Sequence, residues 1–195
     1  MLDKTGSTVN HYHLFQTAHG FAALAWNERG VTSFRLPAPG AEETRRALLR
    51  RLPDAVEVEP SAYLVGLVQA IGHYFEGERS DFAEVPLDLG PQDPLFAKIY
   101  DLVRRLGWGE TTTYGEVARA LGEGPEVARD VGQAMARNPI PLIIPCHRVL
   151  AAGGRIGGFS APGGSNAKAR MLELEGVAPE PGVSAQASAQ SSFGF

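Results

Sequence analysis

The chain has 195 residues, 44% of them hydrophobic, a formal net charge of −4 and a single cysteine. That length and composition allow one large domain or two small ones with a real core, and one cysteine excludes an internal disulfide and suits a reducing compartment. No apolar run is long enough to span a membrane, and the N-terminal MLDKTGSTVNHYH has neither the basic start nor the apolar stretch of a signal peptide, so a soluble, cytoplasmic protein is expected.

Residues 11–36 predict a β-meander. Two short runs, 11–17 and 20–27, are joined through Ala18-His19-Gly20, and a third, 31–36, follows a turn that ends in Gly30. The alternation in Phe21-Ala22-Ala23-Leu24-Ala25-Trp26 is imperfect. A charged amphipathic helix is expected over 41–52. A second is expected over 61–75, with Ser61 as N-cap and Leu64, Leu67, Val68, Ile71 and Phe75 on one stripe. Residues 81–89 predict one more strand. These elements make a small α/β domain over 1–92. His11, His13, His19 and His73 raise the question of a metal, but no carboxylate pattern joins them, and isolated histidines usually lie on the surface or pack against neighbours. No metal site and no cofactor are expected.

The second half, 93–177, changes character. Residues 95–177 carry a charge of +2, against −5 for residues 1–94, which permits nucleic-acid binding without arguing for it. Asp93-Pro94 opens a helix whose stripe is Leu95, Phe96, Ile99, Leu102, Val103 and Leu106. Thr113-Tyr114-Gly115-Glu116 matches a capping box that starts a short helix to about Leu121. After the break Gly122-Glu123-Gly124-Pro125, a further helix is predicted over 126–137. Two short helices around a glycine-containing turn resemble a helix-turn-helix, although most helix pairs bind no DNA. A last helix, 166–175, carries Lys168, Met171, Leu172 and Leu174. Residues 178–195, rich in Ser, Ala, Gln, Pro and Gly, read as a disordered tail.

Between the helix pair and the last helix lies Asn138-Pro139-Ile140-Pro141-Leu142-Ile143-Ile144-Pro145-Cys146-His147-Arg148. Its prolines fix φ and remove backbone donors, so this connector is no ordinary helix. A lone cysteine is most often a small buried hydrophobe. Here polar chemistry begins directly after it: His147 and Arg148 are candidates for lowering the thiol pKa and turning Cys146 into a nucleophile.

The combination of ARDVGQAMARNPIPLIIPCHRVL, GGFS and KARMLELEG is similar to the O6-alkylguanine-DNA alkyltransferases, with that family's PCHRV signature unbroken at 145–149. The resemblance covers 94–177 strongly and 10–90 less specifically. It implies a ribonuclease-H-like α/β domain followed by a mostly helical, winged-helix-like domain that contains the helix-turn-helix. It implies a repair protein, acting as a monomer without an obligate protein partner, that binds double-stranded DNA containing O6-alkylguanine, with O4-alkylthymine as a second candidate lesion. The base is flipped out and its alkyl group kept permanently on Cys146, in a single turnover. By the same resemblance His147 deprotonates Cys146 through a water and Glu175 orients His147. Tyr114 donates a proton to the departing base, and Asn138 braces the hinge. Arg129 enters the duplex in place of the flipped base, with Tyr114, Thr113, Ala128 and Gln133 on the same DNA-facing surface. Pro141, Val149, Gly157, Phe159 and Ser160 fall where the family lines its base pocket. Successive residues of an extended chain point to opposite faces, which favours a water between Cys146 and His147 over direct contact. Asp130 departs from the pattern, because an acid on a DNA-facing helix repels phosphate. The alternatives are a non-enzymatic binder of the alkyltransferase-like group, which lacks the acceptor cysteine, a cysteine hydrolase, and a helix-turn-helix regulator, which has no use for PCHRV.

Overall fold

A computed structural model describes residues 8–161 and 163–178; the expected tail lies outside the described residues, apart from its first residue, Ala178. Three antiparallel strands, β1 (His11–Thr17), β2 (Gly20–Asn27) and β3 (Gly30–Ala38), form the expected meander. Their sheet is completed by a strand that the sequence did not announce, β4 (Val56–Glu57), which pairs parallel with β1 to give the order β3-β2-β1-β4. Helix α1 (Ala41–Leu49) packs on one face and α2 (Ala62–Phe75) on the other. That explains the imperfect alternation of β2. Ala22 and Leu24 point to the α2 side and Ala23 and Ala25 to the α1 side, so both faces must be apolar.

Residues 81–89 do not form the predicted strand. The Asp81 carboxylate accepts from the Ala83 N–H at 2.9 Å and turns the chain, and Pro86 has no N–H to offer a ladder. The segment keeps two bonds to the β3 edge, from Val31 N to Pro86 O (2.8 Å) and from Asp88 N to Val31 O (2.9 Å). Gly30 permits this closeness: a Cβ there would lie 2.5 Å from Pro86 O. Farther along the same edge, the Phe34 N–H and the Ser33 hydroxyl both donate to Pro139 O, at 3.0 and 3.1 Å. The edge of the first half is thus covered by the connector of the second.

The second half is mostly helical: α3 (Pro94–Val103), α4 (Tyr114–Ala120), α5 (Ala128–Arg137) and α6 (Gly164–Leu174), with a two-stranded parallel pair, β5 (Thr112–Thr113) and β6 (Val149–Leu150). Asp93 caps α3 through the N–H groups of Leu95 and Phe96. The predicted capping box forms at α4: Thr113 Oγ1 accepts from Glu116 N (3.2 Å) and Glu116 Oε2 from Thr113 N (2.8 Å). A 3-10 turn, Pro125–Val127, replaces the first turn expected of α5.

The connector runs between two cores. Ile140, Leu142 and Ile143 join the cluster of Phe34, Leu67, Ile71, Tyr74 and Met171, whereas Ile144 and Cys146 join that of Ile99, Val103, Val117, Val131 and Val149. Leu142, 1% exposed, holds the left-handed φ of 75° within this stretch. Backbone strain of this kind persists where packing over-determines it.

Candidate active site

Cys146 opens a 3-10 turn, Cys146–Arg148, directly after Pro145, and is 4% exposed. The chain is therefore not extended here. At three residues per turn, successive side chains still diverge, so Cys146 and His147 face different surroundings. Cys146 lines a cleft of about 490 Å³ together with Tyr114, Gly132, Met135, Gly158, Phe159 and Ser160. Burial pushes its thiol pKa up; the Asn138 amide, the Lys168 ammonium and the local backbone N–H groups pull it back toward the thiolate.

His147 is fully buried on the other side of the turn. Its Nε2 lies 2.7 Å from Glu175 Oε1. Arg148 does not turn toward the thiol, as its position next to the cysteine suggested. It grips the same carboxylate with Nε on Oε2 and Nη2 on Oε1, both at 2.9 Å, and reaches Leu106 O with Nη1 at 2.5 Å. Two further donors complete the carboxylate shell: Tyr74 OH on Oε1 (2.8 Å) and Gly109 N on Oε2 (3.1 Å). Burial by itself would raise the pKa of Glu175; the bonds and charges of His147 and Arg148 outweigh it and hold the carboxyl well below its usual range. Burial lowers the pKa of His147, against the upward pull of Glu175, so the ring is neutral at pH 7. With Glu175 ionised, Nε2 carries the proton and Nδ1 the lone pair. Nδ1 is buried with no hydrogen-bond partner among the described residues. An ionised, fully bonded carboxylate that orients a neutral imidazole with one basic nitrogen free is equipped for general-base chemistry.

Tyr114 begins α4 and forms one wall of the cleft. Burial, followed by the nearby Cys146, raises its pKa, so it holds its proton at pH 7. Its ring packs closely on Gly157, where a Cβ would come within 3.3 Å of it. Asn138 ends α5 and ties the connector at both ends, with Oδ1 accepting from Ile140 N (3.0 Å) and Nδ2 donating to Ile144 O (2.8 Å). Phe159 and Ser160 line the cleft, and the Ser160 hydroxyl donates to Ala136 O at 2.9 Å, which latches this loop to α5. Val149 does not line it: its side chain is core and its carbonyl accepts from Lys168. Pro141 lies beyond the cleft, in a neighbouring cavity. Arg129 and Gln133 stand exposed one turn apart on α5, with Ala128 half-buried at its start; Thr113 spends its hydroxyl on the cap of α4.

Sequence reading missed two side chains at this centre. Tyr74 comes from α2 in the first half and packs edge-on against Trp108 and Phe75, at 5.4 and 5.2 Å. Lys168 is fully buried, with Nζ 2.5 Å from Val149 O and 5.8 Å above the Tyr114 ring. Burial brings its pKa down to about 8. The signal for Lys168 was its place on the buried stripe of α6 with Met171, Leu172 and Glu175; nothing local marks Tyr74. The tempting histidines are occupied as aromatic surface, His11 against Trp26, His13 against Phe15 and His19 against Phe75.

Residues 94–177 match the family description "6-O-methylguanine DNA methyltransferase, DNA binding domain". A methylated-DNA–protein-cysteine methyltransferase of Metallosphaera sedula is 44% identical over 112 residues, which are 57% of this chain and 67% of that protein. Its namesake in Mycobacterium bovis is 36% identical over 165 residues, 85% of this chain and 92% of the relative. The crystal structure of Mycobacterium tuberculosis OGT in complex with DNA superposes with a TM-score of 0.67 at 33% identity, covering 85% of this chain and 92% of the other. With a lone cysteine lining a cleft and a histidine–glutamate pair beside it, this chain belongs to the methylated-DNA–protein-cysteine methyltransferase family.

Proposed function

We propose that this protein repairs duplex DNA by moving the alkyl group of O6-alkylguanine onto its own Cys146, once per chain. One observation carries the reading: the single cysteine lines an open cleft while its neighbour His147 is held neutral, Nδ1 unpaired, by an ionised Glu175. His147 Nδ1 removes the thiol proton through a water. Sγ then attacks the alkyl carbon, and the C–O6 bond breaks. The departing guanine takes a proton from Tyr114, which is protonated at pH 7. Asn138 holds the connector that presents Sγ. A base paired in the duplex cannot reach the cleft, so the target nucleotide is extruded, at a cost of a few kcal/mol in unstacking. Exposed Arg129 on α5 fills the gap it leaves, with Gln133, Ala128 and Thr113 along the same surface. The acidic Asp130 in the first turn of α5 weakens phosphate contacts there. Residues 1–92 and 93–177 act as the two domains, the first ribonuclease-H-like and the second winged-helix-like, in a monomer.

The test is Cys146→Ala. The variant is expected to bind duplex carrying O6-methylguanine and to acquire no label from it. Label on the variant, or binding of the damaged duplex by the unaltered chain without any transfer, would refute the reading; the second result would mark a non-enzymatic binder.

A further inference from the structure

The cleft is not the only space that reaches Cys146. A neighbouring cavity of about 210 Å³ is also lined by Cys146, and Ser160 and Ala136 border both. Three arginines from separate elements also line it: Arg35 on β3, Arg51 just after α1, and Arg137 at the end of α5. The lining contains no aspartate or glutamate. Among the described residues none of the three forms an ion pair, in contrast to Arg29, Arg45 and Arg148. Arg137 spends one face on the Phe96 ring, 5.8 Å away. Nε of Arg35 is buried with no hydrogen-bond partner.

Guanidinium groups stay charged at any working pH. Arg51 and Arg137 reach solvent and Arg35 is half-buried; three like charges around one concave space with no counter-charge repel one another, and the unpaired buried donor of Arg35 adds to the cost. Burial, then Arg51 and Arg50, push the Arg35 pKa down, in keeping with that crowding. An anion in the cavity removes both penalties. It could come from the DNA backbone or from the group being transferred. The position of the cavity decides between them: it touches the cysteine itself, so a group being bonded to Sγ extends into it, and it offers far more room than a methyl group fills.

We propose that this cavity receives the anionic end of an O6-alkyl group, which makes guanines bearing carboxylate-terminated adducts, such as O6-carboxymethyl, a favoured substrate class of this protein. The inference rests on the reading that Cys146 is the alkyl acceptor. In the reaction the thiol proton leaves through His147, Sγ bonds to the methylene carbon, and the methylene–O6 bond breaks. The electron pair departs with guanine, which regains one proton. The carboxylate stays on the methylene, now an S-carboxymethyl cysteine facing the arginines. A carboxylate with two charge-assisted bonds to guanidinium groups sits in the geometry arginine favours.

The experiment compares single-turnover transfer from three duplexes identical but for the adduct: O6-methyl, O6-carboxymethyl, and O6-carbamoylmethyl, the neutral isostere. It uses the full chain and Arg35→Gln, Arg51→Gln and Arg137→Gln, and it also measures affinity for undamaged duplex. The full chain is expected to prefer carboxymethyl over carbamoylmethyl by about tenfold or more, from a charge-assisted bond of about 1.5–3 kcal/mol. Arg35→Gln and Arg51→Gln are expected to shrink that ratio toward one while methyl transfer and duplex affinity hold. No preference in the full chain, or a preference unchanged in all three variants, would overturn the proposal. So would variants that slow all three substrates alike while weakening undamaged-duplex binding, because the arginines would then be backbone-phosphate contacts. Absence of methyl transfer by the full chain would instead sink the acceptor reading, and this inference with it.

Discussion

Around Glu175, three donors converge on Oε1 and two on Oε2, from Tyr74, Gly109, His147 and Arg148. A carboxylate so satisfied cannot serve as the proton's destination; it fixes His147 in the tautomer that leaves Nδ1 basic. Glu175→Gln removes the charge that supports the imidazole and turns one acceptor into a donor facing Arg148. Alkyl transfer is expected to slow by about 10²-fold, the low end for a misplaced general base, while affinity for damaged duplex holds. Loss of binding with an unchanged transfer rate would make Glu175 purely structural. The same variant leaves the Arg148 charge buried and unpaired, at about 3–5 kcal/mol of stability. The acid limb of the stability profile follows from the two shifts. Glu175 has a folded pKa below its unfolded value, so its contribution is present above the ordinary carboxylate range and is lost as pH falls through that range. His147, buried neutral with a lowered pKa, takes up its proton more readily when unfolded, so stability already begins to fall below about pH 6.5. Urea titrations at several pH values are expected to show both steps in the full chain and, in Glu175→Gln, the histidine step with a smaller loss in the carboxylate range, where Asp88 and Glu116 still contribute.

At the scale of elements, the connector and α5 carry the demands of the site. Leu142 is fully packed yet holds φ of 75°, so a glycine there relieves strain where an alanine cannot. Both substitutions lose the leucine side chain, at about 2–5 kcal/mol. Leu142→Gly is nevertheless expected to be the more stable of the two by about 1 kcal/mol, which reverses the usual order of glycine and alanine. Thermal melts of the pair decide it; an alanine variant that melts higher would show the φ to be relaxed in solution. On α5, Arg129 is exposed at the first turn. If it fills the gap left by an extruded base, Arg129→Ala slows repair of duplex strongly and leaves reaction with free O6-benzylguanine nearly unchanged. Arg129→Lys recovers little, having lost the planar group. Lysine restoring the duplex rate, or the free base slowing as much as the duplex, would reduce Arg129 to a phosphate contact.

The molecule as a whole is held together across its two halves, and that is where sequence and structure part. Local signals were legible: the meander, the α2 stripe, the Asp93 cap, the Thr113–Glu116 box and the proline-stiffened connector each rest on residues a few positions apart. Residues 81–89 form no strand because Asp81 and Pro86 divert their backbone bonds, which a strand expectation for this segment does not take into account. β4 escaped because two residues paired parallel across some 45 positions leave no period to detect. The site divided in the same way. Cys146, His147 and Glu175 stood out through a motif, whereas Tyr74, 101 positions from its carboxylate partner, and the buried Lys168 acquire meaning only in three dimensions. Tyr74 brings the first half to the buried carboxylate of Glu175: Tyr74→Phe keeps the ring contacts with Phe75 and Trp108 and removes only the hydroxyl. The central claim is that Cys146 takes one alkyl group and keeps it. The most direct measurement exposes the chain to a large excess of duplex carrying labelled O6-methylguanine, follows label transfer to its plateau, and locates the added mass by peptide mapping. One equivalent per chain, all of it on the peptide containing Cys146, is the expected result; label beyond one equivalent, or on any other peptide, would contradict it.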